Sequence, residues 1–311
     1  MSRIVVTGGA GRLGRSLVAG LASVGHELVS FDRVVSDAPE LADVEQRAID
    51  LTDADATVAA LRDARADSLI HLAAIAVPFS APEDVILRVN TGLAISVLGG
   101  AVSAGIPKIV AASSPTVLGY RATGWLPERL PLDENSPPMP WNAYALSKLL
   151  IEQTITMLRR QTGDDVRFAA FRPCYVIAPE EWAGAPTQQG HTVRQRLDDP
   201  ALSAPAIFNY VDARDVATFA DTLLSALADI PNGETFFVGA DDALAREPLT
   251  TLIPRFYPGT EALASELTGT TPAFSNAKAK RLLGWRPGHH WRAELSLINT
   301  DTPSTRKDVP V

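Results

Sequence analysis

The chain has 311 residues, more than a single hydrophobic core usually organises, so it forms either two compact pieces or one large domain with an elaborated C-terminal lobe. Apolar residues make up 46% and charged residues 21% of it, an ordinary globular composition that excludes disorder as the dominant state. With 28 basic against 36 acidic residues the formal charge is −8, which leaves no basic surface for a phosphate backbone and excludes nucleic acid as a main partner.

In chain order, Arg3 to Thr7 reads as a strand, Gly11 to Val24 as a helix and Glu27 to Asp32 as a second strand ended by a charge. A short strand at Gln46 to Asp50 and a helix at Asp53 to Arg62 come next, then a strand at Asp67 to Leu72 and a long helix at Pro82 to Ala104. A strand at Lys108 to Ser113, a helix at Asn142 to Arg160 and a strand at Val166 to Arg172 complete the alternation. Strands alternating with helices predict an α/β fold, a Rossmann-type doubly wound parallel sheet with any ligand at the carboxyl ends of the strands. After Pro173 the pattern loosens. Pro179, Pro186, Pro200 and Pro205 break a polar stretch before Phe208, followed by a helix at Asp212 to Ala228, a strand at Thr235 to Val238 and a C-terminal unit at Ala277 to Pro287. The expected organisation is a nucleotide-binding domain at 1–173, a small substrate lobe at 174–299 with later sheet elements returning to the core, and a frayed tail at 300–311.

No run approaches the ~18 uninterrupted apolar residues of a membrane helix, and the chain enters the strand-like run Ile4-Val5-Val6 without a signal-peptide pattern. The lone cysteine, Cys174, forbids an internal disulfide and reads as a buried strand residue in a reducing compartment. These features predict a cytoplasmic protein with no membrane partner. The five histidines show no ligand spacing, so no metal is expected.

Two motifs carry chemistry. Thr7-Gly8-Gly9-Ala10-Gly11-Arg12-Leu13-Gly14 follows the first strand and opens the first helix. Its glycines allow a tight turn, close approach of backbone to a pyrophosphate, and close packing of helix on strand, while the helix N-terminus attracts the negative charge. Asp32, 18 residues past Gly14, suits the hydroxyls of an adenosine ribose and would repel a 2′-phosphate, which favours NAD; Arg33 beside it keeps NADP open. The second motif is Tyr144-Ala145-Leu146-Ser147-Lys148 at the head of the long helix. Its i, i+4 spacing sets a phenol and an ammonium side by side. A phenol of pKa ~10 is a poor base at neutral pH, and lowering it by three units takes about 4 kcal/mol, which a neighbouring lysine and an oxidised nicotinamide ring could supply.

With these motifs in this order the chain resembles the extended short-chain dehydrogenase/reductases, also called the NAD-dependent epimerase/dehydratase family. The resemblance extends to Asp50-Leu51, His71-Leu72-Ala73-Ala74, Val89-Asn90, Ala112-Ser113-Ser114, Arg172-Pro173 and Leu283-Gly284-Trp285-Arg286-Pro287, nearly the whole chain. It implies that Tyr144 is the acid/base, that Lys148 binds the nicotinamide ribose and lowers the tyrosine pKa, and that Ser114 hydrogen-bonds the reacting oxygen. Gly8, Gly11, Arg12 and Leu13 would hold the pyrophosphate, Asp32 and Arg33 the adenosine ribose, and Asp50 and Leu51 the adenine edge. Leu72, Ala73, Ala74 and Asn90 would line the path to the nicotinamide, with Pro173 also on the cofactor side, while His71 is expected to be structural. A homodimer through Pro82 to Ala104 and Asn142 to Arg160 is implied as well.

Departures from the family pattern narrow the chemistry. Pro115-Thr116 stands where dehydratases carry an Asp-Glu pair, which disfavours dehydration. Where nucleotide-sugar enzymes have an Asn and a diphosphate-clamping Arg, this chain has Tyr175 and Phe208, with Arg194 and Arg196 as possible replacements. The expectation is therefore a carbohydrate-like small substrate lined by Val77, Ser114, Pro115, Thr116, Tyr144 and Tyr175. The first reading is an NAD(P)-dependent sugar or sugar-acid dehydrogenase; the alternatives are a nucleotide-sugar epimerase that retains NAD and a non-catalytic NAD(P)-binding regulator.

Overall fold

The structure, a computed structural model, describes residues 1–300. The expected tail thus lies, past its first residue, outside the described residues. Strands β1 (Arg3–Thr7), β2 (Glu27–Asp32), β3 (Glu45–Ala48), β4 (Ser68–His71), β5 (Lys108–Ala112) and β6 (Arg167–Pro173) alternate with helices α1 (Arg12–Ser23), α2 (Ala54–Ala64), α3 (Glu83–Ser103) and α4 (Ala143–Thr162). Beyond them come β7 (Val176–Ile177), α5 (Pro179–Trp182), α6 (Val193–Asp198), β8 (Val211–Asp212), α7 (Ala213–Ala226), β9 (Glu234–Val238), α8 (Leu249–Phe256), α9 (Glu261–Ala264), α10 (Ala277–Leu283) and α11 (Trp291–Thr300).

Seven strands form one sheet in the order β3-β2-β1-β4-β5-β6-β9, and every pairing is parallel. Residues alternate between its faces, as the two-residue period of a strand requires. Ile4 and Val6 of β1 join a core with Leu17 of α1 and Phe219 and Leu223 of α7, whereas Val5 joins the opposite core with Leu93 and Val97 of α3 and Ile151 and Ile155 of α4. This is the doubly wound α/β architecture the sequence predicts. The chain after residue 173 contributes to it, since β9 pairs with β6 and α7 packs on α1. A separate two-stranded sheet, β7 with β8, was invisible to pattern reading because each strand is only two residues long.

Helix α3 is long and apolar enough to cross a membrane by length and hydropathy. It packs instead between α2 and α4, burying Ile86, Leu93, Ala94, Val97, Leu98 and Ala101. Its first residue also positions the next helix: the Glu83 carboxylate accepts the Ala143 N–H at 2.7 Å, and Asn142 caps α4 by accepting the Ala145 N–H at 2.9 Å. These bonds set the start of α4, and hence of Tyr144, against α3.

Candidate active site

One cleft of about 1020 Å³ opens at the carboxyl ends of β1, β2, β4, β5 and β6. It is lined at one end by the glycine loop, Asp32, Arg33 and Asp50, and at the other by Ser114, Tyr120, Tyr144, Tyr175, Pro205 and Asn209. The strand order reverses at β1 and β4, where such folds bind their ligands.

The cofactor end is built from backbone. Gly8 sits at φ +76°, and a Cβ there would stand 2.8 Å from the Ala73 nitrogen. A Cβ on Gly14 would fall 2.1 Å from the Gly8 carbonyl oxygen. Helix α1 starts at Gly11 with no capping side chain, so its first N–H groups are left for a ligand, and Gly11, Arg12 and Leu13 all face the cleft. Asp32 accepts the Ala10 and Arg33 N–H groups at 3.2 and 2.7 Å, which ties the end of β2 to the loop. Asp50 accepts from the hydroxyl and amide of Thr52, which with nearby Arg33 hold its carboxyl below the usual carboxylate range. Leu51, Leu72, Ala73, Ala74 and Pro173 line the same cleft. The residues present fit a dinucleotide, and bare glycines stand where any side chain would collide with backbone.

Asn90 departs from expectation. It is 1% exposed and absent from the cleft wall; its side chain accepts the Ile75 N–H at 2.8 Å and donates to the Ile75 carbonyl and the Ser147 hydroxyl. The Ser147 hydroxyl in turn donates to the Tyr144 carbonyl at 2.7 Å. Asn90 thus braces the strand-exit loop against α4, and Ile75 faces the cleft in its place.

At the other end Ser114, Tyr144 and Lys148 come together. Tyr144 is buried, and burial pushes its phenol up to about 12 despite a hydrogen bond with Ser114 that lowers it. Lys148 is 4% exposed, and burial alone brings its ammonium down to about 8. Its Nζ donates to the Ala112 carbonyl at 2.9 Å and stands 5.8 Å from the Tyr144 ring centroid. Ser114 Oγ accepts from the amide and the hydroxyl of Thr116 at 3.2 and 2.9 Å. With its lone pairs so engaged, the Ser114 hydroxyl is set to donate its one proton.

Ser113 lines the cleft, but its hydroxyl turns toward α4. It donates to Glu152 at 2.6 Å, and Glu152 is gripped by Arg172 through two bonds of 2.8 and 2.9 Å, so β5, β6 and α4 are joined behind the site by a buried ion pair. His71 is buried as expected, kept neutral by burial and by nearby Lys148, which bring it to about 3; its Nδ1 lies 2.8 Å from the Thr7 hydroxyl. Cys174 is buried where β6 ends, its thiol pushed up by burial and by the Glu134 charge.

Val77, Pro115, Thr116 and Tyr175 line the same cleft. Phe208 is buried against Phe256 and offers no clamp. Arg196 is 1% exposed; its guanidinium stacks 4.2 Å from the Tyr175 ring centroid and donates to Gln189. Sequence reasoning missed Arg121, Gln188, Gln189, Pro205, Ala206 and Asn209, all of which line the cleft. It also missed Glu181, which is 2% exposed and paired with Arg12 of the glycine loop. No local spacing links residues 169 apart.

The parallel sheet and the glycine-lined cleft at its carboxyl ends are the fold of the extended short-chain dehydrogenase/reductases. Residues 4–239 match the family model described as NAD dependent epimerase/dehydratase family, and the chain belongs to that family. Over 157 residues it is 32% identical to UDP-glucose 4-epimerase of Azospirillum brasilense; the match takes in 49% of this chain and spans less than half of that relative, 43%. Its fold is that of a short-chain dehydrogenase/reductase superfamily protein from Agrobacterium tumefaciens with bound NAD (TM-score 0.68, 24% identity, 96% of each chain). It is also that of UDP-glucose-4-epimerase from Stenotrophomonas maltophila with bound NAD and formylated UDP-arabinopyranose (TM-score 0.72, 20% identity, 96% of this chain and 98% of that one).

Proposed function

We propose that the enzyme is an NAD-dependent epimerase that inverts a carbinol carbon of a nucleotide sugar. This reverses the order of the sequence reading, which put net oxidation of an unactivated sugar first; the named relatives favour the epimerase alternative. Bound NAD supplies a hydride acceptor that can return the hydride to either face of the ketone. Tyr144 takes the carbinol proton and gives it back, Ser114 donates to the same oxygen, and Lys148 holds positive charge beside the phenol while anchoring the nicotinamide ribose.

The observation that carries the reading is a clasp across the cleft beside the glycine loop. Arg12 leaves the glycine loop to pair with buried Glu181 and donates to Gln188 and the Val176 carbonyl at 3.2 and 3.4 Å. Arg12, Val176 and Gln188 all line the cleft, so these bonds bridge its two walls over the pyrophosphate loop. An epimerase needs its cofactor to stay through two hydride transfers, whereas a dehydrogenase must release it each turnover. Asp32 supports NAD over NADP. Exposed Ile95 on α3 and Leu146, Leu150 and Met157 on α4 support a homodimer through these helices.

Mass spectrometry of the purified protein under non-denaturing conditions, paired with an assay of UDP-glucose and UDP-galactose interconversion, tests the proposal. Retained NAD with interconversion is the expected result. An empty protein that forms NADH from free sugars or sugar acids overturns it in favour of the dehydrogenase, the reading that the apolar Phe208 position supports.

A further inference from the structure

The substrate end of the cleft contains a charge that the family motifs do not account for. Residues Gly119 to Ala122 form a tight turn closed by a bond from the Ala122 N–H to the Gly119 carbonyl at 3.0 Å. Arg121 occupies its third position at φ +82°, where such turns place glycine because a Cβ is strained there. Met139 wedges the start of the same turn: a Cβ on Gly119 would lie 2.0 Å from its carbonyl oxygen. A strained backbone holds an arginine on the cleft wall next to Tyr120, in the cleft that Tyr144 also lines.

The charges along the cleft isolate this residue. Its carboxylates, Asp32 and Asp50, both belong to the adenosine end. Of its cations, Arg12 is paired with Glu181, Lys148 is bonded to the Ala112 carbonyl, and Arg33 stands beside Asp50. Among the described residues Arg121 makes no hydrogen bond or ion pair, and its electrostatic neighbour is the Tyr257 phenol, whose pKa burial raises, a rise that the Arg121 charge partly offsets. Tyr257 donates to the Ala204 carbonyl at 2.7 Å, in the segment whose Pro205 and Ala206 form the opposite wall.

We propose that Arg121 is the substrate's anion anchor, and that its guanidinium grips paired anionic oxygens, the diphosphate of a nucleotide sugar, in place of the clamp that Phe208 lacks. A planar fork of donors suits such oxygens, and no carboxylate on that wall opposes them. The choice of a diphosphate rests on the nucleotide-sugar reading; the presence of an anion site does not, because a sugar carboxylate offers the same chemistry.

Calorimetric titration of the NAD-loaded protein with UDP, uridine and glucuronate tests it, using wild type and the variants Arg121→Gly, Arg121→Gln and Arg121→Lys. Wild type should bind UDP far more tightly than uridine. Arg121→Gly and Arg121→Gln should lose about ten- to hundred-fold of UDP affinity with bound NAD unchanged, and Arg121→Lys should keep part of it. Arg121→Gly should also melt higher than wild type, because it relieves the turn, so weaker binding cannot be ascribed to misfolding. UDP binding that is unaltered in both Arg121→Gly and Arg121→Gln overturns the anchor, as does a wild type that prefers neither anion over uridine. If wild type ignores UDP and binds glucuronate through Arg121, the anchor stands and the nucleotide-sugar reading falls.

Discussion

Replacing Lys148 with methionine removes its charge and little of its bulk. Burial holds the Tyr144 phenol up at about 12, so a base useful near pH ~8 must be stabilised as phenolate by roughly four units, about 5.4 kcal/mol. The Lys148 ammonium stands 5.8 Å from the ring centroid. A unit charge at that distance in an effective dielectric of about 20 contributes about 2.9 kcal/mol, or roughly two units. Because Lys148 itself titrates at about 8, it supplies at most about half of the stabilisation at that pH, and the cationic ring of NAD would supply the remainder. Ultraviolet difference titration of the NAD-loaded protein isolates the group: the chain has five tyrosines, and subtracting a Tyr144→Phe spectrum leaves the signal of one. The apparent pKa of that difference should rise by about two units in Lys148→Met. A rise of less than about one unit refutes the assignment of Lys148 as the charge that activates Tyr144. The same substitution should alter stability in the opposite sense to activity. Burial lowers the Lys148 pKa from 10.5 to about 8, so the unfolded chain binds the proton more tightly and the ammonium destabilises the fold below about pH 8. Wild-type stability should therefore gain on that of Lys148→Met as pH rises from about 8 to 10.5.

Glu152→Gln leaves Arg172, whose side chain is 4% exposed, without its partner charge; this should cost about 3–5 kcal/mol and lower the melting temperature by roughly 5–8 °C in calorimetry of a chain this size. Glu181→Gln should loosen the clasp on the glycine loop, so that NAD measured in the purified protein falls and its dissociation quickens by about tenfold; retention equal to wild type would separate the clasp from cofactor binding. Gly14→Ala drives a Cβ to 2.1 Å from the Gly8 carbonyl and should abolish NAD binding by calorimetry while the sheet still folds. Asp32→Ser removes the cleft carboxylate next to Arg33, and, if that carboxylate selects the ribose hydroxyls as we propose, the ratio of NADP to NAD affinity should rise about tenfold or more.

The parallel α/β sheet, the glycine loop and the Tyr144–Lys148 pair were legible in the residues because each is a short-range pattern: alternation in a strand, an i, i+4 step on a helix, glycines at fixed spacing; Ser114 was singled out only by resemblance to the family's Ser-Ser motif. Asn90 was legible as a motif residue, yet its role was not, because only packing shows its amide turned toward Ile75 and Ser147 rather than toward the cleft. The same limit applied to Ser113, adjacent in sequence to Ser114 but directed into the Glu152–Arg172 pair. Local spacing thus specified which chemical groups the chain carries and on which elements. Tertiary contacts decided their charge states and partners: burial set Tyr144 and Lys148 near 12 and 8, and Glu181 was brought to Arg12 from 169 residues away. Desolvation and pairing depend on every element that surrounds a group, so no window of sequence contains them.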